Sequence, residues 1–124
     1  MRIINLTQHP ATSEQKTAGV IEPANKDKIR KLLTFNELPT KEELRTRAKA
    51  LVDYIIVYEN GTFDAAMIGG APFFMSVLED ALRRMGITPL YAFSRREVVE
   101  KTLPSGEVVK TQIFKHLGFV ESYF

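Results

Sequence analysis

Apolar positions in the middle of the chain change their spacing twice, which predicts a strand, a helix and a second strand in succession. Residues 63–68 are almost all apolar, as is typical of a strand buried on both faces of a parallel sheet. Apolar residues in 74–85 recur at the helical spacing, and residues 90–93 form another short apolar run. The stretch 63–94 is therefore predicted to be a βαβ unit with a right-handed crossover.

The flanking patterns extend this prediction to an α/β domain with a mainly parallel sheet. Residues 2–6 indicate a strand, expected to be central, whereas Val20-Ile21 is long enough only for a short edge strand. Thr12, Asn25 and Thr40 each stand at the expected N-cap of a helix. All 124 residues, 1–124, are expected to form one domain.

The helix that begins after Thr40 has a competing interpretation near its end. Its apolar positions keep the helical phase as far as Tyr58, which predicts a helix to about Asn60 that packs on the sheet. Residues 54–58 also have strong β propensity, so a strand in that segment is the alternative.

The last third of the chain predicts a C-terminal β-hairpin. Residues 97–103 and 107–114 are rich in valine and threonine, and they flank the turn sequence Pro104-Ser105-Gly106. Polar and apolar residues alternate in both segments, so one face of the hairpin is expected to be exposed to solvent. Tyr123 and Phe124 at the end are interpreted either as frayed or as covering a partner.

Composition narrows the expected function. The formal net charge is only +2, and no run of lysine and arginine marks a nucleic-acid-binding tail. The chain has no cysteine and no apolar run long enough for a membrane span. The first residues resemble a strand more than a signal peptide, so we expect a cytoplasmic protein with no membrane partner.

Three loops expected at strand ends carry residues that suit an anionic ligand. In open α/β sheets, ligands bind beyond the carboxyl ends of the strands. Thr7, Gln8 and His9 follow the first predicted strand, Gly69-Gly70 follows the second, and Ser94-Arg95-Arg96 follows the third. Glycines allow a ligand close to the backbone, a helix N-terminus attracts anions, and the arginine fork matches phosphate.

A plainer interpretation of the same residues stays open. Gly69-Gly70 can simply make a tight turn, the arginines can be solvated, and His9 can bond a backbone carbonyl. The two histidines lie far apart with no carboxylate pair near either, so we expect neither a metal site nor a cofactor. The pocket suits a nucleotide, or an RNA-like phosphodiester cleaved by its own 2′-OH, with His9, Lys115 or His116 assisting proton transfer.

Three short stretches carry a family resemblance: residues 4–15 (Ile-Asn-Leu-Thr-Gln-His-Pro-Ala-Thr-x-Glu-Gln), 67–75 (Met-Ile-Gly-Gly-Ala-Pro-Phe-Phe-Met) and 91–96 (Tyr-Ala-Phe-Ser-Arg-Arg). Together they resemble small CRISPR-associated accessory proteins that are similar to the CRISPR-associated Rossmann-like domain. The resemblance implies a Rossmann-like three-layer sandwich, a homodimer, and a part in antiviral defence. It also implies binding of cyclic oligoadenylate and, in several groups, slow metal-independent cleavage of that ring.

The expected function is therefore a metal-independent ring nuclease. His9 and Arg95 are the catalytic candidates, and the ligand-binding candidates are Thr7, Gln8, Gly69, Gly70, Ala71, Ser94 and Arg96. One alternative is a sensor or sponge that binds the nucleotide without turnover, and another is an α/β protein that acts through a dimer or interaction surface. Stable DNA binding is not expected, because Glu97, Glu100 and Glu107 interrupt the basic hairpin.

Overall fold

The computed structural model describes residues 1–59 and 61–122, which form five strands and four helices. In chain order these are β1 (Ile3–Leu6), α1 (Ser13–Thr17), β2 (Val20–Ile21), α2 (Lys26–Leu33), α3 (Lys41–Tyr58), β3 (Ala65–Ile68), α4 (Pro72–Arg84), β4 (Thr88–Thr102) and β5 (Val108–Glu121). The predictions that fell on Asn60, Tyr123 and Phe124 lie outside the described residues.

The strands form one mixed sheet in the order β2-β1-β3-β4-β5. The first four are parallel to one another, and β5 runs antiparallel to β4. This arrangement confirms the α/β class, the mainly parallel sheet and the C-terminal hairpin. It also confirms that the first strand is central, since β1 lies between β2 and β3.

Two clusters of buried side chains cover the two faces of the sheet unequally. Side chains alternate between the faces along a strand, so Ile4 and Leu6 enter one cluster and Ile3 enters the other. The larger cluster includes side chains from α2, α3 and α4. The smaller one has Ala11, in the segment that leads into α1. The α/β arrangement is thus built around β1 and β3, while a full three-layer sandwich remains a prediction.

Helix α3 settles the ambiguity at its C-terminal end in favour of the helix. It begins after Thr40, whose hydroxyl accepts a hydrogen bond from the Glu43 amide at 3.1 Å, and it continues to Tyr58. Ala48, Leu51 and Ile55 are buried along one stripe against the sheet cluster. Burial of that stripe outweighs the β propensity of residues 54–58.

The prediction that the second strand of the βαβ unit ends near Phe93 is wrong. Strand β4 continues to Thr102, with an irregularity at Phe93/Ser94, because β5 pairs with it from Leu90 to Thr102. Strand β3 accompanies β4 only over Thr88–Leu90, so the rest of the hairpin extends beyond the parallel sheet. We call its outer part, residues 94–116, the ribbon arm.

The first strand of that unit is shorter than predicted, since it begins at Ala65 and not at Phe63. The Asp64 carboxylate accepts a hydrogen bond from the Arg2 amide at 2.8 Å, and the Asp64 amide donates to the Arg2 carbonyl at 2.9 Å. These bonds tie residue 64 to the chain just before β1 and fix the point at which β3 starts.

Candidate ligand-binding site

A cleft of about 430 Å³ opens at the carboxyl ends of β1 and β3, beside Tyr91 and Ala92 of β4. Strand β1 connects to β2 on one side, whereas the later strands are added on the other side, so the strand order reverses between β1 and β3. Doubly wound sheets bind ligands at such a switch point. The cleft is lined by Thr7, Gln8, His9, Pro10, Thr12, Gln15, Met67, Ile68, Gly69, Gly70, Tyr91 and Ala92.

The β1–α1 loop forms the first wall, and a buried asparagine holds it. Asn5 is fully buried in β1, and its amide nitrogen donates to the His9 carbonyl at 2.8 Å and to the Glu22 carboxylate at 2.6 Å. Its amide oxygen accepts from the backbone and hydroxyl of Thr7, at 2.9 and 2.7 Å. Since every polar group of Asn5 has a partner, the loop is fixed from beneath.

A lysine holds the same loop from the side. The Lys26 ammonium donates to the Thr7 carbonyl at 2.9 Å and to the His9 carbonyl at 3.1 Å. Burial lowers the pKa of Lys26, an effect that Glu22 opposes and Arg30 reinforces. With both carbonyls held by the network inside, the side chain of His9 remains exposed at the rim of the cleft.

The second wall is the turn between β3 and α4. Gly70 has a φ of +143°, a conformation that only glycine adopts without strain. Ala71 is the N-cap of α4 and makes no side-chain capping bond, and Pro72 follows it. The first turn of α4 therefore presents the Phe73 amide and the positive end of the helix dipole beside Gly70.

Tyr91 supplies the third wall, and a polar cluster fixes its hydroxyl. That hydroxyl donates to the Glu79 carboxylate on α4, which also accepts from the Ser122 hydroxyl and from the Arg83 guanidinium. Burial and the bond to Glu79 raise the pKa of Tyr91. Burial opposes ionisation of Glu79, but the three hydrogen bonds prevail and lower its pKa.

The structure brings together five of the residues predicted from the sequence. Thr7, Gln8, His9, Gly69 and Gly70 all line the cleft. The Gln8 amide is itself anchored, because it donates to the Thr34 hydroxyl at 2.9 Å. Ala71 lies next to the cleft as the N-cap of α4 and is not one of its lining residues.

The other three predicted residues lie on the ribbon arm. Ser94, Arg95 and Arg96 follow the lining residue Ala92 along β4, outside the cleft. Alternation along the strand places Arg96 on the same face as Ala92 and Arg95 on the opposite face.

Each arginine also has a neighbour on the arm. The Arg95 guanidinium donates to the Glu97 carboxylate at 2.8 Å and lowers the pKa of Glu97. The Arg96 guanidinium lies over the Phe114 ring, 5.4 Å from its centre.

Sequence reasoning missed the residues that support the cleft, namely Asn5, Glu22, Lys26, Glu79 and Tyr91. One signal was available, because Asn5 interrupts an otherwise apolar strand and a buried amide needs hydrogen-bond partners. The other supports act across distant parts of the chain, as when Tyr91 reaches Glu79 on the preceding helix.

Two further properties concern the described residues alone. Among them, no group of three or more histidine, aspartate and glutamate side chains is arranged to hold a metal ion. None of their helices has both the length and the apolar character that crossing a membrane requires.

The sequence model of one protein family matches residues 1–120, which include the whole cleft and nearly all of the hairpin. The chain belongs to the uncharacterized protein MJ1673 family. Strands β1 to β4 of this MJ1673-family chain lie entirely within the match. Neither the curated proteins nor the solved structures contain a chain that it matches.

Proposed function

We propose that this protein binds cyclic oligoadenylate at the cleft and cleaves it by a metal-independent route. The observation that carries the proposal is the meeting of the Thr7-Gln8-His9 loop with the Gly69-Gly70 turn at the switch point of the sheet. The resemblance carried by residues 4–15, 67–75 and 91–96 supplies the ligand class. The cleft, at about 430 Å³, is within the usual range for small-molecule sites and takes in part of such a ring.

The phosphates are held by backbone donors and fixed positive charge. Gly70 lets a phosphate approach the Phe73 amide and the N-terminus of α4. Arg95 faces Lys115 across the hairpin, and two like charges directly opposite each other repel. Glu97 offsets that repulsion in part, and a phosphate beside the pair relieves more of it.

The chemical step uses the ribose of the substrate as the nucleophile. The 2′-OH loses its proton and attacks the adjacent phosphorus, a 2′,3′-cyclic phosphate forms, and the 5′-oxygen leaves and is protonated. His9 orients the 2′-OH or accepts its proton, since its imidazole is exposed at the rim while its backbone is fixed by Asn5 and Lys26. The positive end of α4 beside Gly70 stabilises the charge that develops around phosphorus, and Arg95 binds a neighbouring phosphate outside the cleft.

The remaining parts of the proposal come from the resemblance. They are a Rossmann-like three-layer arrangement, a homodimer, a cytoplasmic location and a CRISPR-associated part in antiviral defence. The α/β sheet with its helices is compatible with the first of these.

The test is incubation of the purified protein with cyclic tetra-adenylate in EDTA, followed by chromatography. We expect linear products that end in a cyclic phosphate. His9→Ala is expected to abolish turnover while it leaves ligand binding in place, whereas His116→Ala, the matched control, keeps turnover. Arg95→Ala is expected to weaken binding by about 1.5 kcal/mol, the value of a charged hydrogen bond. If His116→Ala lost turnover and His9→Ala kept it, the proton transfer would be assigned to His116 and not to His9.

A second candidate is a sensor or sponge that binds the same ligand without cleaving it. The exposure of His9 favours it, because an imidazole at the rim serves as a ligand contact as readily as a base. Tight binding by calorimetry with no products after hours would select this candidate. No binding and no products would exclude both.

A further inference from the structure

Most residues of the ribbon arm are exposed, and only Glu97, Leu103 and His116 are partly covered. Its other apolar side chains are exposed, for example Val98 at 58% and Phe114 at 67%. An isolated two-stranded ribbon is marginally stable in water, and monomeric proteins rarely expose a contiguous apolar surface of this kind. The arm therefore needs a partner.

The outer edge of β5 is the surface that such a partner can use. In the described sheet β5 pairs only with β4, so one row of its backbone donors and acceptors is left for another strand. Residues 107–115, the segment Glu-Val-Val-Lys-Thr-Gln-Ile-Phe-Lys, are exposed throughout.

This segment is complementary to itself when two copies run antiparallel. With Thr111 opposite its own copy, Glu107 meets Lys115, Val109 meets Ile113, and Val108 meets Phe114. Opposite charges and apolar pairs directly across an antiparallel ladder are stabilising. The apolar pairs lie on both faces of the arm: Val109 and Ile113 share one face, and Val108 and Phe114 share the other.

We propose that two copies of this chain associate through the β5 edge of their ribbon arms, about a two-fold axis at Thr111. The pairing converts two separate hairpins into one four-stranded ribbon, and a two-fold contact closes on itself. The inference deepens the homodimer part of the proposed function. It can be tested without the ligand, since residues 107–115 lie outside the cleft and only Lys115 among them has a part in the proposed function.

The first test reverses one charge at a time and measures the dimer by sedimentation. In Glu107→Lys each contact opposes two lysines, and in Lys115→Glu it opposes two glutamates. We expect either variant to raise the dimer Kd about tenfold or more. A mixture of the two restores the dimer as a heterodimer, because each lysine then meets a glutamate. The control Glu37→Lys makes the same charge change at an exposed residue away from the arm and leaves the dimer intact.

The second test uses the absence of cysteine from the chain. Thr111→Cys places two thiols opposite each other at the axis, within the Cα separation that a disulfide spans. Val99→Cys is the matched control: it lies opposite Thr111 on the same face but one strand farther from the axis, so its copies are about 14 Å apart. We expect mild oxidation to link Thr111→Cys and to leave Val99→Cys unlinked.

Each of the following results overturns the proposal: a native protein that stays monomeric at micromolar concentration, a charge-reversed mixture that does not recover the dimer, or equal linkage of the two cysteine variants. An open polymer in place of a dimer also overturns it. Cleavage of cyclic tetra-adenylate by dilute Thr111→Cys tests the proposed activity separately, so failure of one proposal is distinguishable from failure of the other.

Discussion

The loop that follows β1 and the ribbon arm are built in opposite ways. The loop is short and irregular, yet Asn5 and Lys26 hold it through hydrogen bonds within the fold. The arm is regular and long, yet its side chains contact mainly each other and solvent. Regular secondary structure is therefore a poor guide to which region the fold itself stabilises. The loop owes its shape to buried polar contacts, whereas in the proposed dimer the arm is completed by a second copy of the chain.

The largest effect is expected from Asn5→Ala, which removes the support of the loop. The substitution leaves the His9 carbonyl, the Glu22 carboxylate and the Thr7 amide short of a partner. We expect the free energy of unfolding to fall by about 3 kcal/mol. Urea denaturation measures it, with Asn36→Ala at an exposed position as the control. Equal losses in the two variants would contradict the role given to Asn5.

Glu79→Gln is expected to lower the free energy of unfolding by a smaller amount, about 2 kcal/mol. The hydrogen bonds to Tyr91, Ser122 and Arg83 weaken when the charge is removed. The control is Asp80→Asn, whose carboxylate pairs with Arg84 in a largely exposed ion pair that contributes little.

The contribution of the Glu79 hydrogen bonds to the free energy of unfolding also depends on pH. The pKa of Glu79 is lowered by folding, so its stabilisation is complete above the unfolded pKa and is lost as the pH falls through the folded value. The difference in unfolding free energy between the native protein and Glu79→Gln should therefore shrink in acid. A difference that stays constant down to the folded pKa would contradict the assignment.

Gly70→Ala is expected to destabilise the fold by about 1 kcal/mol, because alanine is strained at a φ of +143°. Gly69→Ala is the matched control, since its added Cβ would lie 3.7 Å from the Thr7 methyl, an ordinary contact, at a residue without a positive φ. Thermal unfolding of both variants compares them directly. Similar melting temperatures would show that the turn does not depend on the conformation of Gly70.

The smallest effect is expected from Phe114→Ala on the arm. Its ring is 67% exposed, so the unfolding free energy of dilute monomer should change by less than about 0.5 kcal/mol. The same substitution should weaken the dimer, because Phe114 faces Val108 of the second copy in the proposed pairing. A large loss of stability in dilute monomer would mean that the fold itself supports the arm.

The sequence predicted most of the parallel sheet and about half of the candidate site. Strands with apolar periodicity and capped helices are local signals, which is why β1, α3 and α4 were recognised. The loops that line the cleft were predicted because strand order and strand ends follow general rules. The continuation of β4 through Ser94 to Arg96 was missed because it depends on pairing with β5, a contact that the local pattern does not show.

The supports of the cleft were missed for a related reason. Lys26 looks like any surface lysine at the start of a helix, and only the folded chain brings its ammonium to the carbonyls of Thr7 and His9. In the sequence Tyr91 looks like one more apolar residue of a strand, and only the fold brings the Glu79 carboxylate to its hydroxyl.

The continuity of β4 has a consequence for stoichiometry. The same strand carries Ala92 at the cleft and Val99 opposite Thr111, about 23 Å farther along at the rise of an extended chain. Two copies joined at Thr111 therefore hold their clefts roughly 45 Å apart, at opposite ends of the four-stranded ribbon. At that separation one small ring cannot touch both clefts. Titration of the dimer should give one ligand per chain with independent affinities, unlike a dimer that encloses a single ligand on its axis.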